Sequence, residues 1–405
     1  MKIIGLTGSK GKTSVCYLLY QYLNKIEQNV SIYSSLDYEV AIPSNERLIE
    51  IINKENDKHT EYLILEINEE YINMIDSSFF DIKVLTSVNV ITDKEDFNKY
   101  LDNLLSFFKK EDKSQNIICY SPEIEKDAYL SLISKLNNKT LFGSFYEVEK
   151  YGLDKFLFNS LIYNDNKPID NINGIKFYIK HGKNLNDSLF IESNLLFDYS
   201  AYNINCLFSI INTLELYNEE LFISLVKDIN IPGRCEVIKI NNRIIIITLT
   251  LTPILEYLYE YKQENAIKDI ITVFGSIGIG HNSWNEEYNS KSQEERMKKR
   301  RKYACSYASN YSSFIYLTSS DPASTDPLLI TKEMNEYLIN NSFYKTLIEI
   351  DRKEAIRKAI FNSKENSVIV ISGRGNRRKF IINNKEYLFS DKEIVEDVIN
   401  NLGWR

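Results

Sequence analysis

Glycine is scarce in this chain, with 14 in 405 residues, yet three of them, Gly5, Gly8 and Gly11, fall within the first eleven positions. Histidine is scarcer: His59, His181 and His281 are too dispersed to suggest a histidine-based metal cluster. The five cysteines (Cys16, Cys119, Cys206, Cys235, Cys305) form an odd, scattered set without CxxC spacing. That fits reduced thiols and excludes the pattern of a disulfide framework or a zinc site. No apolar run approaches the ~20 residues needed to span a bilayer. The first residues lack the charged and apolar regions of a signal peptide. The localisation these absences imply is cytoplasmic. No arginine- or lysine-rich stripe dominates a chain of net charge -7, which argues against a nucleic-acid-binding surface. One stretch, SQEERMKKRRKY, is locally basic and reads as a solvated helix face. With 43% hydrophobic and 26% charged residues, the remainder is ordinary globular composition, long enough for two domains.

Along the chain, β-rich runs alternate with helical periodicity. KIIGL is a short apolar run, followed by glycines and then a helical pattern through Val15, Leu18, Leu19 and Leu23. Strands are expected at Tyr62 to Glu66, Ile82 to Thr86 and Asn116 to Tyr120, with a helical stretch around Phe97 to Phe108. Strand, turn and helix repeated in this way imply a parallel sheet covered by helices. Residues 150–196 carry short strands and many Asn and Asp, which suggests an antiparallel excursion. A helical region is expected from about Asn203 to Val226. Then RIIIITLT, DIITVFGS, SFIYLTS and SVIVISGRG form a second α/β unit. The expected fold is α/β: a first domain with a mainly parallel sheet over 1–235, then a smaller Rossmann-like domain over 236–405.

The glycines at the start now have a physical reading. A glycine-rich turn between a buried strand and a helix lets backbone N–H groups converge on a phosphate. Gly8, Ser9, Lys10, Gly11, Lys12, Thr13 and Ser14 form that turn, with Lys12 reaching the β/γ phosphates and the Thr13 hydroxyl available to magnesium. The full GxxxxGK[ST] pattern is not met, because its first glycine position falls on Leu6. The shorter GxxGKT stands instead, and a strand-to-helix turn that merely needs glycine is the plainer alternative.

GLTGSKGKTS resembles the ATP loop of the Mur ligase family, the muramyl-peptide ligases and their folylpolyglutamate synthetase relatives. Other segments agree in the family's order. YLILEIN resembles the strand carrying its magnesium-binding glutamate, which assigns that role to Glu66. VNVITDKEDF resembles TNL..DHLDFH, matching at Asn89, Asp93, Asp96 and Phe97. DYSAYNINCLFSI resembles the helix start whose asparagine lies near the nucleotide, here Asn203. IPGRCEVI is similar to the PGR hinge and implies an ATP contact at Arg234. TVFGS, YLTSSDPASTDP, VIVISGRGN and YLFSDKEIV resemble the C-terminal domain of the MurE-type member, which adds the third amino acid of the peptidoglycan stem. There the resemblance points to Asp321 and Arg374 as substrate contacts. It implies ATP and Mg2+ as cofactors, with Thr13 and Glu66 as metal ligands.

The departures shape the functional expectation. The N-terminal domain that grips the UDP-sugar in full muramyl ligases is expected to be missing, since the first residues already read as the first strand of the ATP domain. The resemblance therefore implies an acceptor other than a UDP-muramyl peptide, with a separate protein partner as one source of the missing surface. Lys94 replaces the family's metal-binding histidine, and Leu104 stands where a carbamylated lysine would fall. DYAHTP reads TLTLTP, with Thr248 and Leu251 at the altered positions. DNPR reads Ser320-Asp321-Pro322-Ala323, which argues against diaminopimelate. GKGHE reads Gly373-Arg374-Gly375-Asn376-Arg377. A protonated Lys94 cannot bind magnesium but can neutralise a developing acyl-phosphate charge; it reads equally as a surface lysine. Glu66 could be a strand-end carboxylate in a salt bridge, and Asp96 a helix cap. The favoured reading is an ATP-dependent, ADP-forming ligase joining a small carboxylate to an amino acid or other amine, with Lys12, Lys94 and Glu66 catalytic. The alternative is a nucleotide-binding subunit without ligase turnover, working with a partner protein.

Overall fold

A computed structural model describes residues 1–36, 42–68, 71–88, 102–108, 113–122, 124–164, 174–264, 267–279, 290–383 and 385–404. The chain divides into two compact units, Met1–Asn230 and Ile231–Arg405. Asn89, Asp93, Lys94, Asp96, Phe97 and His281 lie outside the described residues.

The first unit is built on a nine-stranded sheet: β1 (Lys2–Thr7), β2 (Val30–Tyr33), β3 (Tyr62–Glu66), β4 (Ile82–Leu85), β5 (Gln115–Cys119), β6 (Lys139–Ser144), β7 (Ser160–Tyr163), β8 (Ile175–His181) and β9 (Asp187–Ser193). Their spatial order is β2-β3-β1-β4-β5-β6-β7-β8-β9. All pairs from β2 to β7 are parallel, while β7–β8 and β8–β9 are antiparallel. Parallel strands are covered on both faces, so they read as near-continuous apolar runs; Leu63, Ile64 and Leu65 of β3, for example, are all fully buried. β8 instead alternates buried and exposed residues along its first five positions, the pattern of a strand with one wet face. The antiparallel excursion expected in 150–196 is this β8–β9 hairpin at the sheet's edge.

The helix Lys12–Lys25 buries Val15, Cys16, Leu18, Leu19, Tyr22 and Leu23, the i, i+3, i+4 stripe of a core-facing helix. The Tyr22 hydroxyl donates to Leu216 O (2.7 Å) and accepts from Asn218 N (2.9 Å). Those partners lie where the single helical region expected from Asn203 to Val226 is in fact interrupted. Asp198–Thr213 and Glu219–Lys227 are separate helices. Glu215 adopts a left-handed φ of 60°, and Asn218 caps the second helix through Leu221 N at 3.0 Å. Apolar periodicity continues across the break, which hid it from sequence.

The second unit has a six-stranded sheet in the order β10-β11-β15-β12-β13-β14. Its strands are β10 (Glu236–Ile240), β11 (Arg243–Thr248), β12 (Asp269–Phe274), β13 (Phe314–Leu317), β14 (Thr346–Ile348) and β15 (Ser367–Ser372). Only β10–β11 is antiparallel. β15, SVIVIS, is buried at every position. A separate hairpin joins β16 (Lys379–Ile382) to β17 (Lys385–Leu388). Arg352 and Asp391, both fully buried, form a bidentate pair at 2.8 Å. The same guanidinium donates to Ser319 O and Ser372 O, tying the ends of β13 and β15 to two helices. Such a fork suits arginine and not lysine.

Candidate functional site

β1 lies between β3 and β4, the point where the order of the first sheet reverses. Such switch points leave a crevice at the strands' carboxyl ends. The register sets Leu6 opposite Glu66 and Thr7 opposite Leu85, so the segments leaving β3 and β4 flank the turn at Gly8–Gly11.

Glycine is required at both ends of that turn. Gly8 has φ 132° and Gly11 has φ 90°, in the region side chains avoid. A Cβ on Gly8 would lie 2.5 Å from Thr86 Oγ1 and 2.7 Å from Ser87 O. On Gly11 it would lie 2.5 Å from the Asn203 side-chain oxygen. Asn203 is buried at the start of the Asp198–Thr213 helix, so the structure brings it to the loop. The Ser87 hydroxyl donates to Lys10 O (2.9 Å), the Thr86 hydroxyl lies 2.6 Å from the same oxygen, and Ser9 N donates to Ser87 O (2.8 Å). The Lys12 ammonium folds back to Gly8 O at 2.5 Å. No side chain caps the Lys12–Lys25 helix and no acid sits in its first turn, so its positive end faces the turn uncompensated.

On the β3 side, Thr13 Oγ1 donates to Glu66 Oε1 at 3.0 Å and lies 2.7 Å from Ser35 Oγ. Ser35 N donates to Glu66 Oε2 at 2.8 Å. Glu66 is half-buried, and among the described residues it pairs with no cation. A hydroxyl and a carboxylate converging at this spacing are hard oxygen donors of the kind Mg2+ takes alongside water and phosphate. The donor set fits the ion. No group of three or more His, Cys, Asp or Glu side chains that could hold a metal occurs among the described residues, so phosphate and water would complete the shell. One turn into the helix, Cys16 is fully buried. Burial first, then the Glu66 and Cys206 charges, push its thiol well above the ordinary range, leaving it protonated.

Ser35, Thr86 and Ser87 were not singled out from sequence. The available signal was position: each directly follows a β-rich run, where a parallel sheet presents its ligands. Leu104, in the segment resembling the carbamylated-lysine helix, is part of the apolar core.

In the second unit, Asp321 and Arg374 meet one another. The Arg374 guanidinium binds Asp321 Oδ1, donates to Lys379 O (2.7 Å), and lies 4.5 Å from the Phe380 ring centre. Ile381 N also donates to Asp321 Oδ1 (3.2 Å), and Arg377 is 3.6 Å from Oδ2. Both residues of the pair are about fully buried. Burial lowers the Arg374 pKa, against the pull of Asp321. The loop carrying Arg234 packs on the one carrying Arg374: a Cβ on Gly233 would lie 2.0 Å from Asn376 N. Arg234 itself is half-buried. Thr248 is buried, its hydroxyl donating to Thr250 O at 3.2 Å.

The family model described as Mur ligase middle domain matches residues 6–156. The chain is 24% identical over 420 residues to the UDP-N-acetylmuramoyl-L-alanyl-D-glutamate--2,6-diaminopimelate ligase of Alkaliphilus oremlandii, covering 100% of this chain and 79% of that protein. Among solved structures it resembles the MurF ligase of Thermotoga maritima in complex with ADP, with TM-score 0.60, 15% identity, and 99% and 79% of the two chains covered. It also resembles the bifunctional folylpolyglutamate synthase/dihydrofolate synthase of Yersinia pestis, with TM-score 0.61, 13% identity, and 99% and 89% covered. These likenesses carry the two-sheet α/β fold across both units. Among the described residues, no helix is long and apolar enough to cross a membrane.

Proposed function

We propose that this chain, whose first unit carries a Mur ligase middle domain, is an ATP-dependent, ADP-forming ligase that makes an amide bond between a carboxylate and an amine. The observation that carries the reading is the cradle at Gly8–Ser14, closed by Thr86, Ser87 and Asn203, beside the Thr13–Glu66 oxygen pair. A backbone turn that excludes a Cβ at Gly8 and at Gly11, at an uncapped helix start, suits a phosphate. Lys12 leaves Gly8 O to meet the β/γ phosphates. Thr13 and Glu66 would hold magnesium, which would supply neutralisation of phosphate charge. Ser35 keeps the carboxylate oriented through its N–H. Positioning and charge neutralisation are the main demands of phosphoryl transfer, and these residues supply both.

Asn89 and Arg234 extend the nucleotide contacts in this reading. The carboxylate substrate is a small acid other than a UDP-muramyl peptide, and the amine is an amino acid or another amine. Asp321 and Arg374 then act on the substrate through the loops they hold, since their own charges are spent on each other. Lys94 stands where the family's histidine would bind a second metal, and its ammonium takes over that charge. Lys94→Ala then abolishes turnover while leaving ATP affinity nearly unchanged; a variant as active as the parent removes Lys94 from the mechanism.

The test combines the protein, ATP, Mg2+ and a low-molecular-weight cell extract, with Lys12→Ala as control. ADP release and a product one water lighter than its two components are expected together. ATP binding without turnover in any extract would replace the ligase by a nucleotide-binding subunit acting through a partner protein.

A further inference from the structure

The basic stretch noted in the sequence lies on the helix Ser290–Tyr311 of the second unit. Seven Lys and Arg against two Glu give this helix +5 in a chain of -7, leaving -12 for everything else. Its inner face is Met297, Arg301, Cys305 and Ala308, all buried; Arg301 is neutralised by Glu333 at 2.9 Å. At 100° per residue Arg296, Lys299, Arg300, Tyr303, Tyr307 and Tyr311 fall on one outward stripe about 120° wide, with Tyr307 and Tyr311 half-buried. Lys299, Arg300, Lys302 and Tyr303 are exposed, Tyr303 to 60%.

The aromatic half of this face is continuous. Tyr303 and Tyr307 have ring centres 5.8 Å apart, Tyr307 and Tyr311 5.1 Å, and Tyr311 and Tyr259 of the neighbouring helix 5.4 Å. The Tyr307 hydroxyl is held by Glu256, which fixes the ladder. The stripe contains no aliphatic residue, so it has nothing to insert into a lipid surface.

We propose that this face binds single-stranded RNA, the cations tracking phosphates and the tyrosine rings stacking bases. Single-strand binding needs these two elements side by side: a cationic track and sequence-tolerant π-faces. The exposed Tyr303 phenol adds a donor and acceptor at ring-edge height, which a ribose 2′-hydroxyl satisfies and deoxyribose does not. The acidic remainder of the protein repels the strand elsewhere and confines it to this helix. The averaged charge of the chain had argued against such a surface, yet seven of its 49 Lys and Arg lie on this one helix. This assignment is independent of the ligase reading.

The experiment is fluorescence anisotropy of a labelled 12-nucleotide oligouridylate on the full chain at several salt concentrations. Binding is expected to weaken with salt at a log–log slope of about -2, as for roughly three neutralised phosphates on a single strand. Lys299→Glu with Lys302→Glu should lower affinity at least tenfold and flatten the slope. Tyr303→Ala should lower it about fivefold to tenfold without changing the slope, and Tyr303→Phe should keep stacking. All three sites are exposed, and circular dichroism checks the fold. Several outcomes would overturn the proposal: no binding at low salt, heparin competing while Tyr303→Ala has no effect, or oligodeoxythymidylate binding equally well. Phosphatidylserine vesicles binding where RNA does not would overturn it too.

Discussion

Two carboxylates sit at or beyond the carboxyl ends of parallel strands, Glu66 as the last residue of β3 and Asp321 four residues past β13, and the two units treat them oppositely. Glu66 is held by a hydroxyl and an N–H, half-buried, with no cation against it among the described residues. Asp321 is about fully buried and faces Arg374, with Arg377 near its second oxygen. A charge whose partners are neutral donors keeps its capacity for an incoming cation. A charge already paired in a dry interior serves the architecture, because separating the pair leaves one charge uncompensated. The difference separates a carboxylate left open to a cation from one already cancelled in a clamp.

The sharpest way to break the comparison is to remove the buried partner. Asp321→Asn strands Arg374 and is expected to cost about 3–5 kcal/mol of stability, read by urea denaturation. A cost below ~1 kcal/mol would mean that the pair is not a clamp. Glu66→Gln should show the reverse profile. Stability changes by less than ~1 kcal/mol, while magnesium-dependent ATP turnover falls on the order of a hundredfold or more. Steady-state kinetics over a Mg2+ series would check this, and a normal magnesium response would remove Glu66 from the metal site.

Gly11→Ala tests the cradle between these extremes. The left-handed backbone and the contact with Asn203 predict ~1–3 kcal/mol of destabilisation and weaker nucleotide binding by calorimetry. The smallest effect concerns a third carboxylate, Glu55, which is buried in the first unit. Burial raises its pKa, but donors from Lys58, Ser31, Tyr33 and Thr60 outweigh that and bring it to about 2. Because the folded pKa lies below the unfolded one, its contribution is complete above about pH 4.5 and fades as pH falls toward 2. Glu55→Gln should flatten that part of the acid-unfolding curve; an unchanged curve would show that Glu55 is not the titrating group.

Much of the candidate site was legible because its signal is local. Gly8, Gly11, Lys12 and Thr13 are contiguous, and the demand for positive φ leaves a visible imprint in a glycine-poor chain. Glu66 and Asn203 were reachable only through resemblance, since nothing in their own neighbourhoods marks them. Thr86, Ser87 and Ser35 were missed because hydroxyls after strands are common and acquire meaning only when the sheet order brings them to one turn. The break between the helices Asp198–Thr213 and Glu219–Lys227 was missed for a related reason: Tyr22, nearly two hundred residues away, stabilises it.

By itself the sequence determined the alternation of buried strands and amphipathic helices, the glycine turn after β1 and the scattered, unbridged cysteines. Each follows from short-range periodicity or from the backbone freedom of single residues. Tertiary structure decided which carboxylate stays open and which is cancelled, since pairing depends on the partner that sheet order delivers. It also decided that the basic residues of Ser290–Tyr311 share a face with a tyrosine ladder completed from another helix. Charge and aromatic counts are properties of a list, whereas a binding face is a property of residues that packing has made neighbours.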